Sequence, residues 1–285
     1  MSPRPPWRLA AALAAALLLA AAAPAAAAER APYEPAIGQP GKDVIWVPTS
    51  EALAERMLAM AQAGHDDTVV DLGSGDGVIA ITAAAKFGAH ALGIEYNADM
   101  VNLARSNATA AGVAERVRFV QGDIFASDFS QATVITLYLL QDLNLRLRPQ
   151  ILSMRPGTRV VSHTFDMGDW RPDEVSSLQG QRCYLWIVPA SVFGVWSLDT
   201  TGSGHMPRLE IEFDQQYQAI RGSVILGAVT AGLREARLRG FHFAFALVDE
   251  RGVRREFSGQ VSGMRMEGSY RADDGTEGRW AAVRR

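Results

Sequence analysis

The stretch Thr68-Val69-Val70-Asp71-Leu72-Gly73-Ser74-Gly75-Asp76-Gly77-Val78, continuing in apolar, alanine-rich sequence to Ala85, decides the fold. β-Branched residues run up to Asp71, glycines follow at alternate positions, and a helix-forming segment closes the unit, so it reads as strand, tight turn and helix. Upstream, Pro48-Thr49-Ser50-Glu51 supplies a cap and a first-turn acid for a helix whose apolar positions Leu53, Met57, Leu58 and Ala61 recur at helical spacing. Downstream, the pattern predicts strands at 91–95, 117–121 and 133–138, a helix at 98–110, a helix at 143–152 capped by Asp142, and a strand at 158–163. Strands alternating with helices over about a hundred residues predict an α/β domain: a doubly wound, mostly parallel sheet covered on both faces. Ligands in such sheets bind at the carboxyl ends of the strands, where Asp71, Glu95 and Asp123 fall.

A glycine loop between a strand and a helix fits several nucleotide cofactors. Two details weigh against a dinucleotide. Val78 stands where that fingerprint has its third glycine, and carboxylates at Asp71 and Asp76 would repel a pyrophosphate. The same acids suit a ligand carrying an ammonium and a sulfonium but no phosphate, which describes S-adenosylmethionine. Glu95, ending the second strand, can accept from both ribose hydroxyls. Asp123, after Gly122, can accept from an adenine amine while Ile124 packs the ring. Competing structural roles stay open: Asp71 as a helix cap, Glu95 as a solvated strand end, Tyr138 as core at a strand end.

With these residues in view, the stretch from Trp46 to Val188 resembles class I S-adenosylmethionine-dependent methyltransferases, with a Rossmann-like fold. Residues 69–77 match that family's first motif, Gly93-Ile94-Glu95-Tyr96-Asn97 its ribose acid, and Gly122-Asp123-Ile124 its adenine turn. Trp46-Val47-Pro48-Thr49-Ser50 and Thr136-Leu137-Tyr138-Leu139-Leu140 resemble the small protein-lysine methyltransferases typified by the enzyme that modifies the ATP synthase c-subunit. The resemblance implies a cofactor site of Thr49, Asp71, Gly73, Ser74, Gly75, Asp76, Glu95, Tyr96, Asp123 and Ile124, with Tyr138 near the transferred methyl group. The Asn/Asp-Pro-Pro-Tyr turn that marks methylation of planar nitrogens is missing after the fourth strand, where Tyr138-Leu139-Leu140-Gln141-Asp142 stands. The expected acceptor is a protein nitrogen, with lysine favoured. Asp142 or Tyr138 is placed to assist deprotonation, and His163, Asp166 and Asp169 form a further cluster that lines either the acceptor entrance or a plain loop. Small-molecule methylation and an exported, non-catalytic nucleoside-binding module are the alternatives.

From residue 191 the pattern changes to short alternating runs separated by glycines. Leu209, Ile211 and Phe213 alternate with acids, and Phe241, Phe243, Phe245 and Leu247 alternate with smaller residues. Further strands are expected near 192–198, 216–225, 254–261, 263–270 and 278–283, while Arg234, Glu235, Arg237 and Arg239 read as a solvated turn. About seven or eight antiparallel strands predict a barrel or sandwich. Gly194-Val195-Trp196 resembles the Gly-X-Trp opening of lipocalin-like barrels.

Composition bounds the partners. The chain has 285 residues and a formal charge of −3, so no global positive field exists to hold nucleic acid. A single cysteine, Cys183, forms no internal disulfide, and the five histidines show no metal spacing, so no metal is expected. Arg4 and Arg8, the apolar run 9–23, Pro24 and small residues up to Ala28 have the layout of a signal peptide. The expected organisation is a signal peptide at 1–28, a linker at 29–45, a methyltransferase domain at 46–190 and a β domain at 191–285. Cleavage would leave an exported, periplasmic protein with no membrane span; an uncleaved segment would leave it anchored. Either placement separates the body of the protein from S-adenosylmethionine made in the cytosol.

Overall fold

The computed structural model describes residues 33–203, 206–227 and 229–285. The expected signal peptide and residues 29–32 of the expected linker lie outside them. Among the described residues no helix is long and apolar enough to cross a membrane.

Strand β1 (Thr68–Leu72) lies between β2 (His90–Glu95) and β4 (Val134–Leu137), all parallel. The chain therefore runs outward through β2 to β3 (Val117–Gln121), then crosses back to β4 and on to β5 (Arg159–His163). The reversal beside β1 opens a crevice at the strand tips. Two antiparallel strands, β6 (Glu174–Leu178) and β7 (Gln181–Ile187), complete the sheet in the order β3-β2-β1-β4-β5-β7-β6. No sequence expectation covered this pair, because β6 is polar and largely exposed and has no alternating apolar face.

Helices α1 (Glu51–Met60), α2 (Val78–Phe87) and α3 (Ala98–Ala110) pack on one face with Val69, Val134 and Val161, while α4 (Gln141–Leu152) covers the other with Val70, Ile135 and Val160. The strands are buried on both faces, as their runs of β-branched residues predict. Ser50 caps α1, its Oγ accepting from the Leu53 N–H at 3.3 Å, and Asn97 caps α3. The expected cap at Asp142 is corrected: α4 begins at Gln141 with Leu140 as its N-cap. Asp142 sits inside the first turn, where the helix dipole still favours a carboxylate.

The second sheet is a barrel. Strands β8 (Gly194–Gly202), β9 (Leu209–Gln216) and β10 (Ala219–Leu226) form a meander, β13 (His242–Val248) to β14 (Arg254–Ser262), β15 (Arg265–Ala272) and β16 (Glu277–Arg284) form another, and β16 pairs with β8. Closure comes from the segment read as a solvated turn. β11 (Val229–Gly232) pairs with β10, β12 (Arg234–Arg239) pairs with β13, and only Leu233 separates them. One bent strand thus joins the two ends of the sheet. Glu235 has φ 51° and the register shifts between Arg234 and Arg237, so a bulge makes the bend. Its outward arginines hide the strand pattern from a reading of hydropathy. Phe213, Phe243, Phe245, Phe257, Tyr270 and Trp280 fill the interior, so this barrel has a packed aromatic core.

The barrel meets the first sheet at the turn between β9 and β10. Trp170 Nε1 donates to Gln218 Oε1 at 2.9 Å, Tyr217 Oη donates to Asp169 at 3.1 Å, and the Trp170 and Tyr217 rings stack. Trp170 is itself accepted into the core beneath Trp186, whose Nε1 donates to the Trp170 carbonyl.

Candidate active site

The glycine loop turns back against the sheet because three of its residues adopt left-handed backbone. Gly73, Gly75 and Gly77 have φ of 82°, 54° and 88°. At Gly77 a Cβ would meet the Phe119 ring at 2.6 Å, and at Gly75 it would meet Trp46 Nε1 at 2.8 Å. A side chain at either place would separate the loop from its neighbours. The loop, the tips of β1, β2 and β4, the start of α1 and residues 39–47 wall a single crevice. All the expected cofactor residues line it: Thr49, Asp71, Gly73, Ser74, Gly75 and Asp76 from one side, Glu95, Tyr96, Asp123 and Ile124 from the other, and Tyr138 at the end of β4.

The carboxylates are held in different ways. Asp71 is only 2% exposed, and its Oδ1 accepts from Thr136 Oγ1 at 2.7 Å. Burial pushes its pKa up to about 7; the Thr136 hydrogen bond opposes the shift, and the nearby charges of Asp76 and Glu95 add to it. Burial also raises Asp76. Glu95 is fixed by two backbone donors, Gly75 N–H to Oε2 at 3.0 Å and Asn97 N–H to Oε1 at 2.9 Å, which ties the second strand to the glycine loop. Asp123 accepts from Lys42 Nζ at 2.9 Å and from the Phe125 N–H, and this pairing holds its carboxyl below the usual range. Ser74 Oγ is buried without a partner.

Several residues of the crevice carry no motif. Lys42 lies over the rings of Tyr96 and Phe125 at 5.6 and 5.8 Å. The segment around it is shaped by the Pro40–Ile45 bridge and by Gly38 N–H donating to the Trp46 carbonyl at 2.9 Å. Residues 39–45, read as linker, therefore form one wall of the site. The Lys42-Asp43 pair is the sequence feature that marks a polar contact there. Leu139, Leu140 and Phe165 complete the apolar side.

The His163, Asp166 and Asp169 cluster divides. Asp166 accepts from Gln141 and from the Gly168 N–H, and Asp169 engages Arg148 and Tyr217. These two acids tie the loop to α4 and the barrel. His163 is buried and lies against the Tyr138 ring, with centroids 4.0 Å apart.

The site fits S-adenosylmethionine on its own chemistry. Its carboxylates, with Asp71 buried among them, favour a cation, its polar groups are spaced along a nucleoside-sized crevice, and Ser74 Oγ is left wanting a partner.

Comparison with known proteins agrees. The ANTKMT methyltransferase domain model matches residues 71–174. A protein-lysine N-methyltransferase of Saccharolobus islandicus is 41% identical over 151 residues, covering 51% of this chain and 94% of that protein. The lysine N-methyltransferase of the ATP synthase c-subunit from Homo sapiens is 31% identical over 149 residues, covering 52% of this chain and 62% of that protein. A crystal structure described as an RNA methyltransferase from Salinibacter ruber, in complex with S-adenosyl-L-homocysteine, is 50% identical, covers 51% of this chain and 96% of that one, and superposes with a TM-score of 0.50. With nearly the whole Saccharolobus islandicus relative matched, and the crevice built as described, this chain belongs to the family of S-adenosylmethionine-dependent methyltransferases that carry the ANTKMT methyltransferase domain.

Proposed function

We propose that the protein methylates the side-chain amine of a lysine in another protein. The observation that carries this reading is the charge balance of the crevice lining, where the carboxylates Asp43, Asp71, Asp76, Glu95 and Asp123 stand against one cation, Lys42, itself paired with Asp43 and Asp123. An excess of carboxylates around the site disfavours a polyanionic acceptor more than a cationic one. The lysine-specific names of the Saccharolobus islandicus and human relatives support the same acceptor. The RNA methyltransferase description of the Salinibacter ruber protein favours a second reading, and the net charge of −3 weighs against it.

In this reading Asp71, Asp76 and the glycine loop would hold the amino-acid end of S-adenosylmethionine, Glu95 the ribose, Asp123, Ile124 and Tyr96 the adenine, and Thr49 and Tyr138 would border the transfer point. The cofactor supplies an activated methyl group. The chain's own contribution is to align an acceptor and to exclude water with Leu139, Leu140 and Phe165. The sequence features of residues 1–28 support action outside the cytosol, with the cofactor supplied there by an unidentified route.

The test is transfer of labelled methyl from S-adenosylmethionine onto an envelope extract, followed by protease, ribonuclease and lipid extraction. Label in protease-sensitive material that hydrolyses to methyl-lysine is expected. Label released by ribonuclease instead would overturn the lysine reading.

A further inference from the structure

Lys42 is the only cation among the described residues that line the crevice, and the chain has just one other lysine, Lys86. It stands at the tip of a small hairpin. Gly38 N–H donates to the Trp46 carbonyl at 2.9 Å, Trp46 N–H to the Gln39 carbonyl at 3.0 Å, and Gly41 N–H to the Val44 carbonyl at 2.9 Å, so residues 38–46 double back through Lys42 and Asp43. A two-stranded hairpin by itself is marginally stable in water, so contacts with the domain set the place of this one. At its base Trp46 lies against Gly75 of the glycine loop, and Gln39 Nε2 donates to Met100 Sδ at 3.5 Å. At its tip Lys42 Nζ donates to Asp123 Oδ2 at 2.9 Å and lies 5.6 and 5.8 Å from the centroids of the Tyr96 and Phe125 rings. The hairpin thus spans the crevice, from the glycine loop to the turn after β3.

The tip contact is built from charges. Asp123 Oδ1 accepts from the Phe125 N–H, which leaves Oδ2 to Lys42. Asp43 stands 3.2 Å from the same ammonium, and hydrogen bonds to Asp123 and Asp43 raise its pKa above the ordinary lysine value. Arg146 lies over the Phe125 ring at 3.8 Å and also acts on Asp123, so this carboxylate keeps a cation nearby if Lys42 loses its charge. The side chains of Lys42 and Asp123 are 34% and 32% exposed. An ion pair that open contributes little to folding and is weakened by salt. What it does do is join the two walls of a ligand site.

We infer that Lys42 is a positioning residue for the cofactor: its ion pair with Asp123 latches the 38–46 hairpin over the adenine end of the site and slows the departure of S-adenosylhomocysteine. The inference rests on the cofactor site and is independent of the methyl acceptor. A carboxylate offers about four acceptor directions, so Asp123 can hold the ammonium and an adenine amine together. Breaking the pair frees the hairpin tip, and exchange of spent for fresh cofactor waits on that break.

Release of tritiated S-adenosylhomocysteine, chased with excess unlabelled ligand, tests this on the full chain. Lys42→Met keeps the alkyl stem and removes the charge, and it should melt within about 2 °C of wild type. Its release should be about fivefold faster, with association changed by less than about twofold. Wild-type release should quicken as salt rises from about 50 to about 500 mM, while release from Lys42→Met stays flat. Asp123→Asn keeps an acceptor for the adenine amine but cannot form the ion pair, so adding Lys42→Met to it should quicken release no further. Hydrogen exchange reads the hairpin directly: S-adenosylhomocysteine should protect the amides of residues 38–46 in wild type, and about fivefold less in Lys42→Met. Wild-type release and salt dependence in Lys42→Met would overturn the latch. Slower release or tighter binding in that variant would overturn it too, since Lys42 would then be standing in the place of the adenine.

Discussion

Replacing Asp71 by asparagine should move stability and ligand affinity in opposite directions. The carboxyl is buried, and its pKa is raised from 3.8 to about 7. At pH 8 the ligand-free protein must hold that group charged against its preference, at a cost of roughly 4 kcal/mol for a shift of about 3 units. The sign follows from proton counting. Between pH 3.8 and about 7 the folded state binds more protons at Asp71 than the unfolded state. The stability this group contributes is therefore complete below pH 3.8 and lost as pH rises to about 7. Asparagine keeps an acceptor for the Thr136 hydroxyl and carries no charge. Asp71→Asn should melt about 10 °C higher than wild type at pH 8, about equal to it near pH 4, and show a flatter stability profile between. S-adenosylhomocysteine, whose ammonium would meet the carboxylate, should bind the variant about 10- to 100-fold more weakly, from the loss of one charge-assisted hydrogen bond worth about 1.5–3 kcal/mol. Wild-type affinity should rise with pH up to about 7 and then level, while the variant's stays flat. Scanning calorimetry and titration calorimetry across pH 4–8 read both quantities. Equal melting temperatures at pH 8 together with equal affinities would refute the assignment of Asp71 as a destabilised, ligand-seeking charge.

Gly77→Ala places a methyl group against Phe119 and forces φ 88° on an L-residue, so urea unfolding should show a loss of at least about 1–2 kcal/mol, with weakened S-adenosylhomocysteine binding. In the barrel, Arg255 is buried with Asp249 as its short ion-pair partner and Asp274 at 4.0 Å; Asp249→Ala leaves that charge with only the distant carboxylate and should cost about 3 kcal/mol by the same measurement, whereas Arg255→Met together with Asp249→Ala should recover much of the loss. Mass spectrometry of the protein isolated from its host should find an N-terminus after Ala27 or Ala28, and a retained Met1 would contradict cleavage.

The parallel sheet was legible because its information is local. Val69, Val70 and Leu72 mark a strand buried on both faces, Gly73, Gly75 and Gly77 mark a turn that side chains would block, and Ser50 announces its helix through a cap. Asp71, Glu95 and Asp123 were legible for the same reason, each at or just past the end of a recognisable strand, and Asp76 by its place in the glycine loop. β12 was not, since Arg234, Arg237 and Arg239 point outward from a bulged strand whose only deeply buried side chain is Leu238. Nor was the part played by Lys42, which lies 81 positions before Asp123 in the chain and 2.9 Å from it in space.

By itself, then, the order of residues determined a strand-turn-helix unit, the chemical character of a cation-seeking crevice, and the presence of a second, antiparallel β region. These depend on spacing within a few residues, where propensity, hydropathy period and steric need coincide. Tertiary structure alone decided that the β region closes through one bent strand, that residues 39–45 wall the site, and that His163 sits unbonded against Tyr138. Each of those facts joins residues distant in sequence, and burial and partnership are properties of the packed chain that no local pattern carries.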